Sequence, residues 1–587
     1  MYTRHRESLV NEDSSWHKGQ SWKRKRIVKV AIGIVVLLII LAIALGVGLT
    51  LGLRKSDQNR PHVKPVSFPT DGLDLSTKGL QSRGSFFTSS VDSSSAAIFN
   101  WTSGGFTFAK YSNDTTKADI IVNTSLPIQE IDGFGAALTD SAAYTLFELK
   151  RSNASVYNAT LKTLFNMRTG TPILRVPLGS SDFSMQEYVF APNAPPGDLL
   201  SQALASSKNI NDALLSAGFS LGPANDYLIP ILRDIVAIRP QLKVIFSPWS
   251  PPAWMKTSGS LSGGSIIPGF VPLVAQYYVM SIKAFVDAGV PAWSMTLQNE
   301  PNFAPKYPST IVDSKTQSQL ASAIRGLLPA HNLTSMKIFA HDNNWAEWQD
   351  AADIVNLNSS AIDGIAWHAY KGDASQIANF RGNTSAPSLE THMTEFTGTS
   401  GDSKSRWDAQ KYWLESIYFP MLNQYAHSVE IWNIALDPNN GPRLSSAPCS
   451  NCVGALQVST PDHFADPWVQ IQPQYITMAH MNAATVDLST IGGGPAYRAL
   501  TIQQSNTTTN STANLACITS QGFAASLKGA KLEPSNAANT DTTFSRRVGL
   551  VLYNNCDTAQ TLNLNIDGRA TAFDTQPGVT TLVWQAP

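Results

Sequence analysis

Pro291-Ala-Trp-Ser-Met-Thr-Leu-Gln-Asn-Glu-Pro301 is an apolar run that ends at Leu297 and passes into Gln298, Asn299 and Glu300 before a proline. A second run of the same design, Thr391-His-Met-Thr-Glu-Phe-Thr-Gly398, ends on Glu395. Each glutamate therefore closes a strand-like segment. In a parallel β/α barrel every strand end opens on one face, so carboxylates far apart in sequence can meet there. A Glu-Pro pair by itself is more often a solvated loop. The rest of the chain decides between the two.

Outward from these runs, strand-like and helix-like segments alternate. The strand candidates are Ile131–Ala137, Ile173–Leu178, Lys243–Pro248, Trp293–Leu297, Lys337–Ala340, Gly364–Tyr370, His392–Glu395 and Val429–Ala435. Amphipathic stretches such as Ser141–Lys150, Asp226–Ala237, Val271–Ala288 and Lys315–Leu327 lie between them. Eight such alternations are what a (β/α)8 TIM barrel requires, here over residues 127–453. An open doubly wound sheet is the competing architecture, but Gly133-Phe-Gly135 lacks the rest of a phosphate-binding glycine turn. Beyond residue 454 the runs become short and β-rich with Asn, Thr and Gly connections, the pattern of an all-β sandwich reaching to residue 587. The strand-like segments in 96–126 are too few to stand alone and are expected to complete that sheet.

The chain has 587 residues, too many for one core, and its 43 Lys+Arg balance 43 Asp+Glu, which gives no electrostatic footprint for nucleic acid. The sign is nevertheless uneven along the chain. Residues 1–29 carry Arg4, Arg6, Lys18, Lys23, Arg24, Lys25, Arg26 and Lys29 against Glu7, Glu12 and Asp13. The uncharged segment 30–53 that follows is long enough to cross a hydrocarbon core of about 30 Å. A cleaved signal peptide would have a shorter apolar region, of roughly 7–15 residues. With the basic tail held in the cytoplasm, the chain reads as a single-pass type II membrane protein. Its C-terminal bulk is then extracellular or lumenal, beyond a Ser/Pro/Gly-rich stalk at 54–95. The four cysteines, Cys449, Cys452, Cys517 and Cys556, all lie beyond the span, where disulfides are favoured. Three pairings are open, and Cys449–Cys452 with Cys517–Cys556 is preferred. Ten sequons, at Asn100, Asn113, Asn123, Asn153, Asn158, Asn332, Asn358, Asn383, Asn506 and Asn510, agree with a glycoprotein in that compartment.

Seven ordered blocks resemble family 30 of the glycoside hydrolases, which includes glucosylceramidase and the fungal endo-β-1,6-glucanases. They are Asp132-Gly-Phe-Gly-Ala-Ala-Leu-Thr-Asp140, Leu174-Arg-Val-Pro177 with Ser181-Asp-Phe-Ser184, Ser247-Pro-Trp-Ser-Pro-Pro-Ala-Trp-Met-Lys256, Gln298-Asn-Glu-Pro301, Ala366-Trp-His-Ala-Tyr370, Thr394-Glu395 and Trp432-Asn-Ile-Ala-Leu436. The N-terminal anchor lies outside the resemblance. The resemblance implies Glu300 as general acid/base and Glu395 as nucleophile of a retaining reaction. One carboxyl protonates the leaving oxygen while the other attacks the anomeric carbon. It implies Asn299 on the sugar 2-hydroxyl, Asp140 on outer hydroxyls, and Trp249 and Trp432 lining the sugar subsite. His368 and Tyr370 are expected to hydrogen-bond around the nucleophile, and Arg175 to support its charge. Each has a plainer alternative: a helix-start carboxylate for Asp140, barrel core for the tryptophans and His368, and a structural ion pair for Arg175. No cofactor is implied, and a lone His368 without a matching acidic cluster gives no metal site.

The loop 441–454 resembles that of the endo-β-1,6-glucanases more than that of the glucosylceramidases. Phe396-Thr397 departs from the small residue and Cys common in the latter. The expected function is thus endo-β-1,6-glucanase action on cell-wall glucan, with glucosylceramide hydrolysis as the alternative. A non-catalytic glucan-binding protein is more distant, because both carboxylates are present. The expected partners are a β-glucan or a glucosylated lipid and the membrane.

Overall fold

The computed structural model describes residues 83–90, 100–107, 115–167, 169–206, 209–400, 406–460, 467–485, 496–504, 512–526 and 546–586. The basic tail 1–29, the apolar segment 30–53 and most of the stalk 54–95 lie outside these residues, as do the sequons at Asn113, Asn506 and Asn510. Among the described residues, no helix is long and apolar enough to cross a membrane.

Three strands come first: β1 (Arg83–Ser90), β2 (Asn100–Thr107) and β3 (Ile120–Ile131). The barrel then starts with β4 (Gly133–Ala137), β5 (Ile173–Leu178), β6 (Lys243–Pro248) and β7 (Ser294–Thr296). It continues with β8 (Lys337–Asn344), β9 (Gly364–His368) and β10 (Glu390–Glu395), and after a short β11 (Gly398–Thr399) it finishes with β12 (Ser428–Ile431). These eight strands close in the order β10-β12-β4-β5-β6-β7-β8-β9, all parallel. Their residues are almost wholly buried, as both-face-covered parallel strands must be. Neither glycine of Gly133-Phe-Gly135 serves a phosphate. A Cβ on Gly133 would lie 2.3 Å from Pro172 Cγ, and one on Gly135 2.4 Å from the Ile173 carbonyl oxygen, so both let β4 close against β5.

The helices fill the spaces that the sequence assigned to them. Asp140–Ser152 begins at Thr139, whose hydroxyl accepts from the Ala142 amide at 3.2 Å, and carries Lys150 and Arg151 in its last turn. After the barrel come β13 (Ala435–Leu436), β14 (Cys452–Val453), β15 (Leu456–Val458) and β16 (Val469–Ile471). β14 pairs with β11 beside the end of β10, and β13, β15 and β16 make a small separate sheet.

The remaining strands are β17 (Ala496–Gln503), β18 (Ile518–Ser526), β19 (Arg546–Asn554), β20 (Gln560–Ile566), β21 (Arg569–Thr575) and β22 (Gly578–Ala586). With β1–β3 they form one nine-stranded sheet, β2-β1-β22-β19-β18-β17-β3-β20-β21. The expected sandwich of two sheets is therefore a single sheet folded over on itself. Leu562, Leu564 and Phe573 from one end share a core with Leu550, Leu582 and Trp584 from the other. β1 falls inside the stretch read as stalk, so residues 83–90 belong to this sheet instead.

The helix Pro473–Thr485, which sequence pattern placed in the sheet domain, lies between the two bodies and is buried along its whole length. Asn482 brackets the backbone of Phe134 in β4, with bonds of 3.1 and 2.9 Å, while His480 bonds Ser89 in β1 at 2.8 Å and Thr581 in β22 at 2.9 Å. Barrel and sheet are thus fastened through buried polar contacts and belong to one compact unit.

Candidate active site

At the C-terminal mouth of the barrel the side chains converge on one buried charge that sequence pattern did not single out, Asp342. Three groups lie at its Oδ2: Arg175 Nη2 (2.9 Å), Ser247 Oγ (2.8 Å) and Thr296 Oγ1 (2.7 Å). Thr394 Oγ1 (2.6 Å) and His368 Nε2 (3.1 Å) lie at its Oδ1. Burial by itself would raise this carboxyl, but Arg175, His368 and Thr394 hold it well below the usual carboxylate range. A bulge aims it inward. His341 and Asp342 have φ of 76° and 50°, and the register of β8 against β9 slips between His341 and Asn343.

Glu395 is turned into the mouth by a second bulge, where β10 slips against β9 between Met393 and Glu395. Arg175 Nη1 donates to its Oε2 at 2.6 Å and the Tyr370 hydroxyl to its Oε1 at 3.0 Å. Burial pushes its carboxyl up. His368 and Arg175 pull it down, and the neighbouring Glu300 pushes it up again. Glu300 sits past the end of β7 with φ of 43°, a left-handed conformation uncommon for glutamate, held by its amide on the Asp342 carbonyl at 3.0 Å. His368 Nδ1 lies 3.3 Å from Glu300 Oε1. The imidazole thus bridges Glu300 and Asp342. Burial alone would lower its pKa, yet the charge of Glu395 and the bonds to Asp342 and Glu300 push it up to about 9.

Carboxylate oxygens of Glu300 and Glu395 lie within 4.8 Å of one another, with His368 in the same cluster. Double displacement needs the two carboxyls this close, whereas inversion needs a wider gap of roughly 6.5–9.5 Å for a water. Both nitrogens of His368 are engaged by carboxylates, so it offers no free lone pair to a cation.

Trp249 and Trp432, both buried, stack on each other at 5.3 Å and 26°, and each ring lies over the Arg175 guanidinium, at 4.8 and 5.7 Å. The pair therefore backs the arginine that grips Glu395. Asn299 turns its Oδ1 to Arg175 Nη2 at 2.7 Å, which leaves its amide NH2 pointing away from the arginine. Leu444, Cys452 and Cys449 pack on the tryptophan pair, so the loop after β13 forms one wall of the mouth. Cys449 is bonded to Cys452 and Cys517 to Cys556, the preferred pairing. Lys256 fixes the rim opposite. It is buried and donates to Ser250 Oγ (3.0 Å), Leu261 O (2.7 Å) and Ser309 O (2.6 Å), tying the loop after β6 to that after β7.

Asp140 does not join this group. It is buried at the start of its helix with the Tyr188 hydroxyl at 2.9 Å, and burial pushes it up to about 7 against bonds from Tyr188, Ser184 and Tyr227. The aspartate beside the glutamates is Asp182, pushed up to about 8 by burial and by the charges of Glu395 and Glu300. It sits in the block Ser181-Asp-Phe-Ser184, in which sequence pattern did not single out Asp182. Tyr307, packed with the tryptophan pair, faces Asp182, Glu300 and Glu395 and was also missed.

Residues 131–482 match the glycosyl hydrolase family 30 TIM-barrel domain. The chain belongs to glycosyl hydrolase family 30. Its relatives include an endo-1,6-β-D-glucanase of Aspergillus fumigatus, 28% identical over 352 residues that cover 56% of this chain and 66% of the relative. Another is the lysosomal acid glucosylceramidase of Mus musculus, 27% identical over 54% of this chain and 61% of the relative. The matched stretch thus spans a little under two thirds of either protein. Among solved structures the fold resembles the endo-β1,6-glucanase BT3312, with a TM-score of 0.68, 24% identity, and coverage of 86% of this chain and 99% of that one.

Proposed function

We propose that this family 30 protein is a retaining β-glucosidic hydrolase, and that the close pairing of Glu300 with Glu395 carries the chemistry. Glu395 attacks the anomeric carbon while Glu300 protonates the departing oxygen. In the second step Glu300 takes a proton from the water that releases the sugar. Arg175 and the Tyr370 hydroxyl stabilise Glu395 as a carboxylate, and His368 orients Glu300. The Asn299 amide is free to meet the sugar 2-hydroxyl, where a bond that tightens in the transition state lowers the barrier.

The favoured substrate is β-1,6-glucan cleaved within the chain. Relatives carrying the endo-1,6-β-D-glucanase name support this, as do the polar rims at 437–453 and 258–264. Glucosylceramide is the second reading. Relatives named glucosylceramidase favour it, as do the exposed Phe303 and Met185 in the loops after β7 and β5. The protein tested against pustulan, laminarin and glucosylceramide side by side decides between them, and faster hydrolysis of the lipid would reverse the order. Anomer-resolved NMR of the first products should show the β-anomer. Initial α-anomer would contradict retention.

The anchor reading joins this proposal: a type II protein with its catalytic part outside the cytoplasm. Two disulfides support it. So do the described sequons Asn123, Asn153, Asn158, Asn332, Asn358 and Asn383, all exposed or half-buried. Protease applied to intact cells should release a fragment whose mass peptide-N-glycosidase reduces. An unglycosylated, protected catalytic part would overturn the orientation.

A further inference from the structure

One residue beyond Glu395, Phe396 is buried and touches no reacting group, yet it holds two exposed tyrosines in a row. Its ring centroid lies 5.5 Å from Tyr370 and 6.0 Å from Tyr412, with the ring planes tilted by only 38° and 35°. Trp413 supports it edge-on at 5.2 Å and 71°. Tyr370 is 40% and Tyr412 47% exposed. The row begins at the chemistry, because the Tyr370 hydroxyl donates to Glu395 Oε1. It ends at Tyr412, the last residue of the helix Arg406–Tyr412.

Packed aromatic pairs in a core commonly meet edge to face. These three rings instead lie at shallow tilts and make a shelf. Each step along it is comparable with the width of a pyranose ring. A pyranose has an apolar C–H face and a rim of hydroxyls. A tyrosine matches it with a flat apolar ring and a polar tip, and contributes that area with only two rotatable bonds to fix. A lipid chain would ask for continuous alkyl surface. Lys371, next in the chain after Tyr370, has its side chain 67% exposed, and Gly398 lies against Trp413.

We propose that Tyr370, Phe396 and Tyr412 form a saccharide subsite that binds the next glucose unit on the non-reducing side of the one held between the two glutamates, with Tyr412 stacking on its C–H face. This rests on the glucan-hydrolase reading above. In it Phe396 is a positioning residue, setting the spacing of the two rings that touch sugar.

The test uses the full chain and its Tyr412→Ala and Tyr412→Phe variants, with kcat/KM measured on β-1,6-linked gluco-oligosaccharides from the disaccharide to the hexasaccharide and on pustulan. In the parent protein kcat/KM should climb with chain length. Tyr412→Ala should flatten one step of that climb, by about three- to tenfold and mainly through KM, while Tyr412→Phe keeps the step. A length series with the parent's shape in Tyr412→Ala overturns the subsite. So does an equal loss at every length, which would mean that Tyr412 only supports the nucleophile strand. A parent protein that cleaves none of these glucans overturns the hydrolase reading, and the subsite falls with it.

Discussion

Asp342→Asn removes one charge from the point where five polar groups converge, while leaving the side chain's volume unchanged. An amide presents one oxygen and one NH2. Either Arg175, Ser247 and Thr296 or Thr394 and His368 must then face a donor. Breaking a fully buried pair costs about 3–5 kcal/mol when the surviving charge is orphaned. Arg175 is not orphaned, because Glu395 stays at 2.6 Å. The expected loss is therefore at the low end, ~3 kcal/mol, more than a hundredfold in the folding equilibrium. Because the Asp342 pKa is depressed, its contribution is present in full above the ordinary aspartate range and disappears only as pH falls through the folded value. Urea unfolding near neutral pH thus reads the whole effect. His368 loses one of the groups that hold it protonated, so its imidazole should titrate below the parent's value of about 9, which NMR of the ring protons measures. Turnover should fall on the order of a hundredfold as Arg175 and Glu300 lose their common anchor. A variant as stable as the parent to within about 0.5 kcal/mol, with an unchanged His368 titration, would refute the charged hub.

The two glutamates should fail in different ways. Glu395→Gln should abolish nearly all turnover, whereas Glu300→Gln should spare aryl glycosides whose leaving groups need little protonation. Near-normal glucan cleavage by both would discard the assignment. Stability should fall between about pH 6.5 and 9, as urea midpoints across that range would show. His368, raised to about 9, gives up its contribution there, and Asp182 and Glu430, raised to about 8, complete a loss that they and Asp140, raised to about 7, begin near pH 4, where the unfolded carboxyls ionise. A midpoint that climbs with pH over this range would contradict those shifts. Replacing Cys517 and Cys556 by serine opens a loop of sequence separation 39 and should cost about 4 kcal/mol, against about 2 kcal/mol for the short Cys449–Cys452 link. Thermal melts should rank the two in that order, with the activity loss falling more heavily on the short link, which packs on Trp249 and Trp432.

Where local pattern and tertiary role coincide, the sequence was legible. β5 and β6 run over the expected spans because each is a continuous buried stretch. β8 was cut short at Ala340, since His341-Asp342-Asn343-Asn344 looks like a solvated loop until the bulge turns Asp342 into the barrel. The helix Pro473–Thr485 stayed hidden because it is buried on every side and so shows no amphipathic period. β1 was lost in a serine-rich stretch whose partner strand lies at the far end of the chain. Glu300, Glu395, Asn299, Arg175, His368, Tyr370 and both tryptophans are brought together in the structure. Asp182, inside the block Ser181-Asp-Phe-Ser184, was not singled out, and the packing of Tyr188 and Tyr227 around Asp140 sets that residue apart from the glutamates.

The pairing of β1 with β22 has a consequence for synthesis. Phe86 stands opposite Leu582 in the register, and β3 is held between β17 and β20. The first strands made must therefore wait with open edges until almost the last residues leave the ribosome. The barrel's own neighbours are mostly adjacent in sequence and can assemble earlier. β12, however, closes on β4, whose Phe134 is clasped by Asn482 from a helix made still later. Such long sequence separations slow folding and leave unpaired strands exposed to other chains. Truncations at the C-terminal end should therefore lower the yield of folded protein before they alter the site at the barrel mouth.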